Sequence, residues 1–371
     1  MSNHPLKAIP GILLMLIIAV LARGGADLGF PQWHGLETYF RENVFLSKIL
    51  VDVLHLNYVL ISIVIGMLIR NITGIPAWAL TGVKTSRLFI KMGVILLGSL
   101  YSIVDLANLG TKAILIILTF VFFTLLLTLY LGQKRGMGLA SASVLAAGTA
   151  VCGVSAIVAV APAVRAKNSD VAYSIATILS LGLIFLLTFP TIGTLIGLSP
   201  HQFGVWAGTG ILNSGQVLAA ALVFDPGTVH QTSVSLKTGE IYNIIRVIFL
   251  PFVILLLAVY NMRGRENEED YDINTSLWSK FPLFVIGFLI MVFLTSFGVF
   301  GDTSPPSGAI LFIRNLYSWF FAIGLAGLGM QISITELRRA GGNPLVVGSI
   351  AGVVKAIGAL IVVLLFISEN P

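Results

Sequence analysis

The sequence predicts an all-α polytopic membrane protein with about 9–11 transmembrane helices and two broken or re-entrant segments. Of the 371 residues, 57% are hydrophobic and only 10% are charged, against roughly 25% charged in a soluble domain. Apolar runs near the ~20 residues needed to cross the hydrocarbon recur along the whole chain, with short polar joints. We therefore expect one membrane domain and no separate soluble domain.

The apolar runs and the joints between them give the predicted order of the chain. Residues 1–260 hold a first repeat, two broken segments and the helix after them; residues 261–277 form a polar linker, and residues 278–371 carry the remaining helices. The mixed stretch Pro31–Leu50 predicts an interfacial amphipathic helix, and the acidic run Arg265–Asp270 predicts a solvated connector. Eleven segments are predicted to lie in the membrane: Ile9–Leu21, Tyr58–Arg70, Leu88–Val104, Ala113–Leu131, Leu139–Val164, Ala172–Ile196, Phe203–Phe224, Val234–Tyr260, Phe281–Phe300, Ile310–Ile332 and Leu345–Phe366.

Two of these segments contain glycine-rich, polar breaks, Gly148–Ser155 and Gly208–Gln216. Irregular backbone in lipid leaves amide and carbonyl groups without partners, and it is tolerated where it is buried in protein or lines a cavity. Small residues alone would indicate tight helix packing, but packing does not require the hydroxyls and amides that accompany them. These breaks therefore predict a ligand-lining role for Thr149, Cys152, Gly153, Ser155, Thr209, Asn213, Ser214 and Gln216.

Basic residues collect in cytoplasmic joints, and their positions test the topology. Eleven crossings with a cytoplasmic N-terminus place most basic joints on one side but leave Arg165 and Lys167 outside. If both broken segments are instead re-entrant hairpins, these two residues also lie inside. Both alternatives stay open, and both place the C-terminus outside.

An internal repeat predicts a two-fold architecture. Gly93 and Gly98 each recur 231 positions later (324 − 93 and 329 − 98), as Gly324 and Gly329. An odd number of crossings separates the copies, so they are predicted to run in opposite directions, as in inverted-repeat transporters. The remaining pairs are Ser102, Asp105, Leu106 and Gly110 with Ser333, Glu336, Leu337 and Gly341. Chance recurrence among 38 glycines is the alternative.

Ionisable residues within apolar segments are costly and usually functional, although those near helix ends can extend to the interface. Lys237, Glu240, Asn243 and Arg246 step by three along one helix, which predicts neighbouring side chains. A neutralised pair of Glu240 with Lys237 or Arg246 is the alternative to a role in binding. The other basic residues in or beside apolar segments are Lys91 and Lys355, which are expected to extend to the interface, and Arg314. This surplus of positive groups suits a small anion.

Other ligands are not indicated. The five histidines lie far apart without metal-ligand spacing, and the single cysteine, Cys152, excludes an internal disulfide. Phosphate-loop, dinucleotide and nucleic-acid motifs are absent, so we expect no cofactor, metal or nucleic-acid partner. The formal charge of +6 is assigned to membrane topology.

Several short motifs lie in and around the breaks: Cys152-Gly-x-Ser-Ala-Ile157, Ala161-Pro162, the lead-in Phe203-Gly-x-Trp-Ala-Gly-Thr209 and Gln216-Val217. Through these motifs and the two glycine repeats, the chain resembles the YeiH family of sulfate exporters. It implies a bacterial inner-membrane transporter related to the cation-proton antiporter and bile-acid symporter superfamily, with inverted repeats and unwound helices meeting at mid-membrane.

Two departures from that family's pattern bear on mechanism. Where the family has Ile-His-Asp-Thr-Ser-Gln-Val, this chain has Ile211-Leu-Asn-Ser-Gly-Gln-Val217 and therefore lacks the titratable pair. Where the family often has a lysine three residues before its arginine, this chain has Asn243 before Arg246.

Together these observations predict an alternating-access transporter of a small oxyanion such as sulfate or sulfite. The breaks would form its site, Arg246 would supply positive charge, and the helices of Gly93 and Gly324 would flank it. An ion-coupled organic-anion carrier or cation antiporter is the nearest alternative; an intramembrane enzyme using Cys152 or Ser155 and a structural or sensory membrane protein are more remote. The expected partners are the bilayer, the anion and, as a candidate oligomer, a second copy in a homodimer.

Overall fold

A computed structural model describes residues 5–28, 30, 32–43, 57–227, 231–263, 283–302, 306–335 and 342–369. Apart from isolated bridge residues at Gly25, Phe30 and Pro306, the regular structure in these ranges is helical. Five helices there are long and apolar enough to cross a membrane, and shorter apolar helices lie between them. The predicted all-α polytopic membrane fold is confirmed.

The helices follow the predicted apolar segments closely. Helix breaks occur where a backbone donor is missing or glycine permits an unusual conformation; Pro251, for example, lies just after the interruption at Phe249. The helices are α1 (Ile9–Arg23), α2 (Gly35–Glu42), α3 (Tyr58–Leu68), α4 (Leu80–Val83), α5 (Ser86–Leu97), α6 (Ile103–Lys134), α7 (Leu139–Ala150), α8 (Val154–Val160), α9 (Asn168–Leu195), α10 (Pro200–Gly210), α11 (Ser214–Phe224), α12 (Val234–Ile248), α13 (Leu250–Arg263), α14 (Leu283–Ser296), α15 (Gly308–Met330) and α16 (Asn343–Phe366).

The first broken segment folds back on itself. Helices α7 and α8 are separated by a turn at residues 151–153, and a Cβ atom at Gly148 would lie 2.8 Å from Ile157 Cδ1. A straight helix would place residues nine positions apart about 13 Å from each other. The start of α7 and residues Arg165 and Lys167 also line one surface cavity. The segment is therefore a re-entrant hairpin, hairpin 1, that begins and ends on the same face of the protein.

The second broken segment is also a hairpin. The rings of Phe203 in α10 and Phe224 in α11 stack with centroids 3.9 Å apart, although 21 positions separate them. Ser235 joins the two ends, because its hydroxyl donates to the Pro200 carbonyl at 2.8 Å and its backbone N–H donates to Asp225 Oδ2 at 3.0 Å. This segment, hairpin 2, also begins and ends on one face.

The structure thus decides between the two topologies that the sequence left open, and neither broken segment crosses. We call the face where hairpin 1 opens the first face, and the face where hairpin 2 opens the second face. Asn343 Nδ2 donates to the Arg135 carbonyl at 2.7 Å on the first face. At the other end of α16, the Glu369 carbonyl accepts from Ser199 Oγ at 2.6 Å on the second face. Re-entry also places Arg165 and Lys167 on the same face as Arg135, in agreement with the charge pattern.

The glycine repeat has a direct structural counterpart. Helices α5 and α15 pack antiparallel, so that a Cβ at Gly93 would lie 2.4 Å from Phe321 Cε1 and one at Gly324 would lie 2.6 Å from Ile90 Cγ1. Moving 231 positions along the chain converts Ile90 into Phe321 and Gly93 into Gly324. The two contacts are therefore exchanged by a two-fold operation, as expected for an inverted repeat.

The hairpins form a second inverted repeat with an offset of 60 positions (213 − 153). Helices α7, α8 and α9 correspond to α10, α11 and the pair α12 and α13, and the hairpins open on opposite faces. A Cβ at Gly153 would lie 2.9 Å from the Cβ of its equivalent, Asn213. Equivalent residues can touch only close to the axis that relates them, so the pseudo-two-fold axis passes between the hairpin tips.

Some predicted features lie outside the described residues. They include the acidic connector Arg265–Asp270, residues 44–50 of the predicted interfacial helix, and Glu336, Leu337 and Gly341 of the repeat. The described part of the interfacial segment is α2, which is amphipathic as predicted; its Glu37 accepts from Tyr58 N at 3.1 Å.

Re-entry of hairpin 1 predicts the sidedness of cysteine labelling. In a Cys152→Ser background, Lys134→Cys and Asn168→Cys should react with a membrane-impermeant maleimide from the same side, and Glu369→Cys from the opposite side. All three positions are exposed. Labelling in intact cells and in inverted vesicles provides the measurement. Reaction of Lys134→Cys and Asn168→Cys from opposite sides would show that the segment crosses.

Candidate functional site

A cavity of about 230 Å³ lies where the two hairpin tips meet α5 and α12. Arg87 lies at the start of α5 and Phe284 at the start of α14, both at the first-face ends of their helices, so the cavity approaches that face. Most of the apolar lining comes from aliphatic side chains. The lining residues are Arg87, Ile90, Lys91, Val94, Cys152, Val154, Ser155, Asn213, Ser214, Gly215, Leu218, Glu240, Asn243, Val247, Leu250, Phe284 and Leu328.

The tip of hairpin 1 contributes Cys152 and Ser155. Gly153 between them has φ 73°, a left-handed conformation that glycine adopts without strain. Its missing side chain also admits the backbone of Asn213 from hairpin 2. The turn leaves Ser155 exposed within the otherwise buried tip, so its hydroxyl is available to a solute in the cavity.

The tip of hairpin 2 is ordered by its own amide and hydroxyl groups. Asn213 caps α11, because its Oδ1 accepts from the backbone N–H of Gly215 at 3.3 Å. The next residue, Ser214, donates its hydroxyl to Asn243 Oδ1 at 2.7 Å. These bonds fix the tip against α12 and leave Asn213 and Ser214 in the cavity wall.

Three buried polar side chains of α12 form a continuous ladder. Asn243 Nδ2 donates to both carboxylate oxygens of Glu240, at 3.2 and 3.3 Å. Arg246 Nη2 donates to Asn243 Oδ1 at 3.0 Å. The spacing of three residues places the side chains on one helix face, as predicted. The carboxylate and the guanidinium are therefore connected through the Asn243 amide, without a direct hydrogen bond between them.

The carbonyl groups released by the two breaks are satisfied by long basic side chains. Arg246 Nη1 donates to the Ile211 carbonyl at 2.6 Å and approaches the Thr209 carbonyl at 3.5 Å, at the inner end of α10. Lys355 Nζ donates to the Thr149 carbonyl at 2.9 Å, at the inner end of α7. Thr149 and Thr209 are equivalent in the 60-residue repeat. In both hairpins, therefore, a buried basic side chain donates to a carbonyl at the break.

Lys355 corrects a prediction. The sequence places it in an apolar helix, where we expected it to extend to the interface; the structure buries it to 1% exposure on the Thr149 carbonyl. Lys355 stays buried because it donates to the carbonyl at the inner end of α7. Without this donor the carbonyl would be unpaired in the protein interior, which is costly. Lys91, in contrast, is exposed and lines the cavity.

The structure separates the predicted site residues into two groups. Cys152, Ser155, Asn213 and Ser214 line the cavity, and Glu240 and Asn243 join them. The remaining predicted residues, Thr149, Gly153, Thr209, Gln216 and Arg246, are buried behind its wall.

Two of these buried residues, Thr149 and Gln216, have side chains that hydrogen-bond to neighbouring helices. The Thr149 hydroxyl lies 2.9 Å from that of Thr128, and Gln216 donates to the Leu179 carbonyl at 3.3 Å. The Thr209 hydroxyl has no hydrogen-bond partner among the described residues.

Two predicted basic residues lie elsewhere. Lys237 packs beside Tyr101, with Nζ 5.2 Å from the ring centroid, and its carbonyl accepts from the Tyr101 hydroxyl at 2.5 Å. Arg314 lines a separate cavity of about 520 Å³ near the second face, together with Arg23 and Arg41. Sequence reasoning missed Arg87, which lines the main cavity; its position six residues before Gly93 in the repeat helix was the available signal.

The charges of the main cavity favour an anion over a metal ion. Its lining holds two basic side chains, Arg87 and Lys91, and one carboxylate, Glu240. Within the described ranges, no group of three or more histidine, cysteine or acidic residues could hold a metal. What the cavity offers is hydroxyl, amide and basic donors, the groups that bind oxyanions.

The fold and the site define a polytopic helical membrane protein in which two re-entrant hairpins meet tip to tip. The chain belongs to the family described as Conserved hypothetical protein 698, whose model matches residues 10–348.

Three relatives named UPF0324 membrane protein align with 78–100% of this chain. Two from Nitratidesulfovibrio vulgaris are 47% and 39% identical; the alignments cover 100% and 98% of this chain and 98% and 94% of the relatives. One from Agrobacterium fabrum is 32% identical over 78% of this chain and 79% of its own length. Their names place them in the membrane and specify no solute. No solved structure matches.

The Lys355 contact predicts a stability difference. Lys355→Ala removes the donor from the Thr149 carbonyl and leaves a cavity, and we expect it to destabilise the protein by roughly 2–4 kcal/mol. Lys112→Ala is the matched control, since Lys112 is exposed on α6, and its effect should stay within about 0.5 kcal/mol. Thermal unfolding in detergent measures both. Equal midpoints for the two variants would show that the contact contributes little.

Proposed function

We propose that this chain is an alternating-access transporter, and not an enzyme, that moves a small oxyanion such as sulfate or sulfite across the bacterial inner membrane. The observation that carries the proposal is the cavity at the junction of the hairpin tips, which combines basic side chains with hydroxyl and amide groups at membrane depth. Polar groups of this kind are retained in lipid mainly where they serve a solute or ion pathway.

The size and donors of the cavity support a small anion. Its volume of about 230 Å³ is many times the ~15 Å³ that one water requires, so a tetrahedral oxyanion fits with some of its hydration water. Ser155 and Ser214 supply hydroxyl donors at the two tips, and Arg87 and Lys91 supply charge. A cation would be repelled by the two basic groups, which outnumber the one carboxylate in this lining.

The inverted repeat supports alternating access. Hairpin 1 opens on the first face and hairpin 2 on the second, and equivalent residues of their tips touch. Exchanging the conformations of the two halves would close the cavity toward the first face and open it toward the second. Assigning the basic joints to the cytoplasm makes the first face cytoplasmic, and this assignment supports a cytoplasmic N-terminus, an outside C-terminus and an inward-facing state as parts of the proposal.

An ion-coupled carrier is the second candidate, and Glu240 in the cavity wall favours it. For the enzyme alternative, Cys152 or Ser155 would need a base within hydrogen-bonding reach. The described residues that line the cavity include no histidine, and the carboxylate there, Glu240, accepts hydrogen bonds from Asn243 and from neither nucleophile. His201 lies instead at the outer end of hairpin 2, with Nδ1 3.2 Å from the Thr238 hydroxyl.

Uptake of radiolabelled sulfate or sulfite into proteoliposomes tests the proposal. We expect saturable uptake by the wild type, a loss of about fivefold in Ser155→Ala, and a loss of tenfold or more in Arg246→Ala, with these factors of the order expected for a neutral and a charge-assisted hydrogen bond. The Arg246 effect is indirect, because this guanidinium holds the hairpin 2 tip in place.

Ser180→Ala is the control for the uptake measurement, since the Ser180 hydroxyl donates to the Ala176 carbonyl of its own helix and lies outside the cavity lining. Its uptake should match the wild type. Unaltered uptake in both Ser155→Ala and Arg246→Ala would refute the residue assignment, and absence of uptake in the wild type would refute the proposed substrates.

A further inference from the structure

Glu240 is the acidic side chain of the main cavity, and it is held in an unusual way. It is 1% exposed, and both its oxygens accept from the single amide group of Asn243. Among the described residues, no lysine or arginine forms an ion pair with it. A buried carboxylate normally requires a paired cation or several donors, so this one depends on what occupies the cavity beside it.

A carboxylate and a transported anion oppose each other in the same cavity. In its charged form Glu240 repels the anion and can only accept hydrogen bonds. With a proton on one carboxyl oxygen, the group is neutral and provides an O–H donor directed at an anion oxygen. Each ligand therefore favours the binding of the other, and thermodynamic linkage makes this effect reciprocal.

We infer that Glu240 is a proton-binding site and that a proton and the anion cross together, so that the chain is a proton–anion symporter. This inference rests on the proposed function and adds the coupling ion to it. In the binding step, a proton from cavity water forms an O–H bond at a Glu240 oxygen as the anion enters. After the change of access the O–H bond breaks, the proton returns to water on the other side, and no oxidation or reduction takes place.

The ladder on α12 provides the connection that coupling requires. Glu240 reaches Asn243, and Asn243 reaches both Ser214 at the hairpin 2 tip and Arg246 behind it. Arg246 in turn holds the Ile211 carbonyl in the break itself. A change in the charge of Glu240 therefore alters the hydrogen bonds that fix the position of one hairpin tip.

Other titratable or charged groups around Glu240 have to be distinguished from it. Guanidinium groups stay charged across the neutral range, so the arginines do not produce a pH response there. His201 is the group for which a control is needed, because neutral histidines commonly titrate between pH 5 and 8. The groups on the surrounding elements are Arg87 and Lys91 on α5, Cys152 in hairpin 1, His201 on α10, Lys237 and Arg246 on α12 and Lys355 on α16.

Sulfate flux and lumen pH, measured together in proteoliposomes, test the inference. Sulfate is a suitable probe because it stays fully ionised in this range. Lowering the external pH from about 8 to about 6 should raise uptake by the wild type by about tenfold, a typical coupling factor. Sulfate entry driven by its own gradient should acidify the lumen, as reported by a trapped pH-sensitive dye.

The variants separate Glu240 from its neighbours. Glu240→Gln should abolish both the pH response and the lumen acidification, while Glu240→Asp, which keeps a carboxylate, should retain both. Glu369→Gln, at an exposed position outside the cavity, and His201→Gln should respond as the wild type does. Thermal unfolding shows whether Glu240→Gln folds. If it does not, the inference is tested by lumen acidification in the wild type and by the pH response of Glu240→Asp.

Alkalinisation of the lumen during sulfate entry would indicate antiport and would overturn the inference. A full pH response in Glu240→Gln would overturn it as well. Sulfate flux without any pH response in the wild type would refute proton coupling, but it would leave the proposed function intact. Absence of sulfate and sulfite flux in every variant and in the wild type would instead refute the proposed function.

Discussion

The structure depends on how the backbone groups released by the two hairpin tips find partners inside the membrane. Lipid provides neither donors nor acceptors, so each broken helix requires protein groups at its end. The Thr149 carbonyl receives Lys355, and the Ile211 carbonyl receives Arg246. Lys355 comes from α16, far away in the sequence, and Arg246 comes from α12, the helix that follows hairpin 2. Each hairpin is therefore fixed to a separate helix, and the cavity forms where the hairpin tips meet.

The two repeats stabilise this arrangement at two places, the contact between α5 and α15 and the contact between the hairpin tips. The 231-residue repeat sets α5 against α15 through glycines that admit Phe321 and Ile90, and close approach of this kind supplies the van der Waals contact that holds helices together in lipid. The 60-residue repeat sets the hairpins tip to tip on the same principle, with Gly153 against Asn213. At this contact, however, the two equivalent residues differ. Asn213 carries a capping amide that Gly153 lacks, so the site is symmetric in backbone and asymmetric in chemistry.

Much of the fold was predictable from the sequence, because composition and run length determine a polytopic helical protein and glycine with polar residues marks the breaks. The choice between crossing and re-entry was not, since both use the same apolar length, and only contacts such as Phe203 with Phe224 distinguish them. The structure places Cys152, Ser155, Asn213 and Ser214 in the wall of one cavity. Thr149, Thr209 and Gln216 were predicted to belong to the same set because hydroxyls and amides in a break look alike in sequence, whether they face a cavity or a neighbouring helix. Lys355 was misinterpreted for a related reason: a partner 206 positions away cannot be recognised from local spacing.

The asparagine between Glu240 and Arg246 explains why this site retains both of its charged groups. A direct ion pair would neutralise the carboxylate and withdraw the guanidinium from the hairpin break, because one Arg246 side chain cannot serve both at full strength. The Asn243 amide donates to Glu240 with its nitrogen and accepts from Arg246 and Ser214 with its oxygen. A lysine at this position has donors only; it could pair with Glu240 but could not accept from either of the other two groups. The neutral, two-sided amide therefore keeps Arg246 directed at the backbone and leaves Glu240 facing the cavity, where its charge can act on a bound solute.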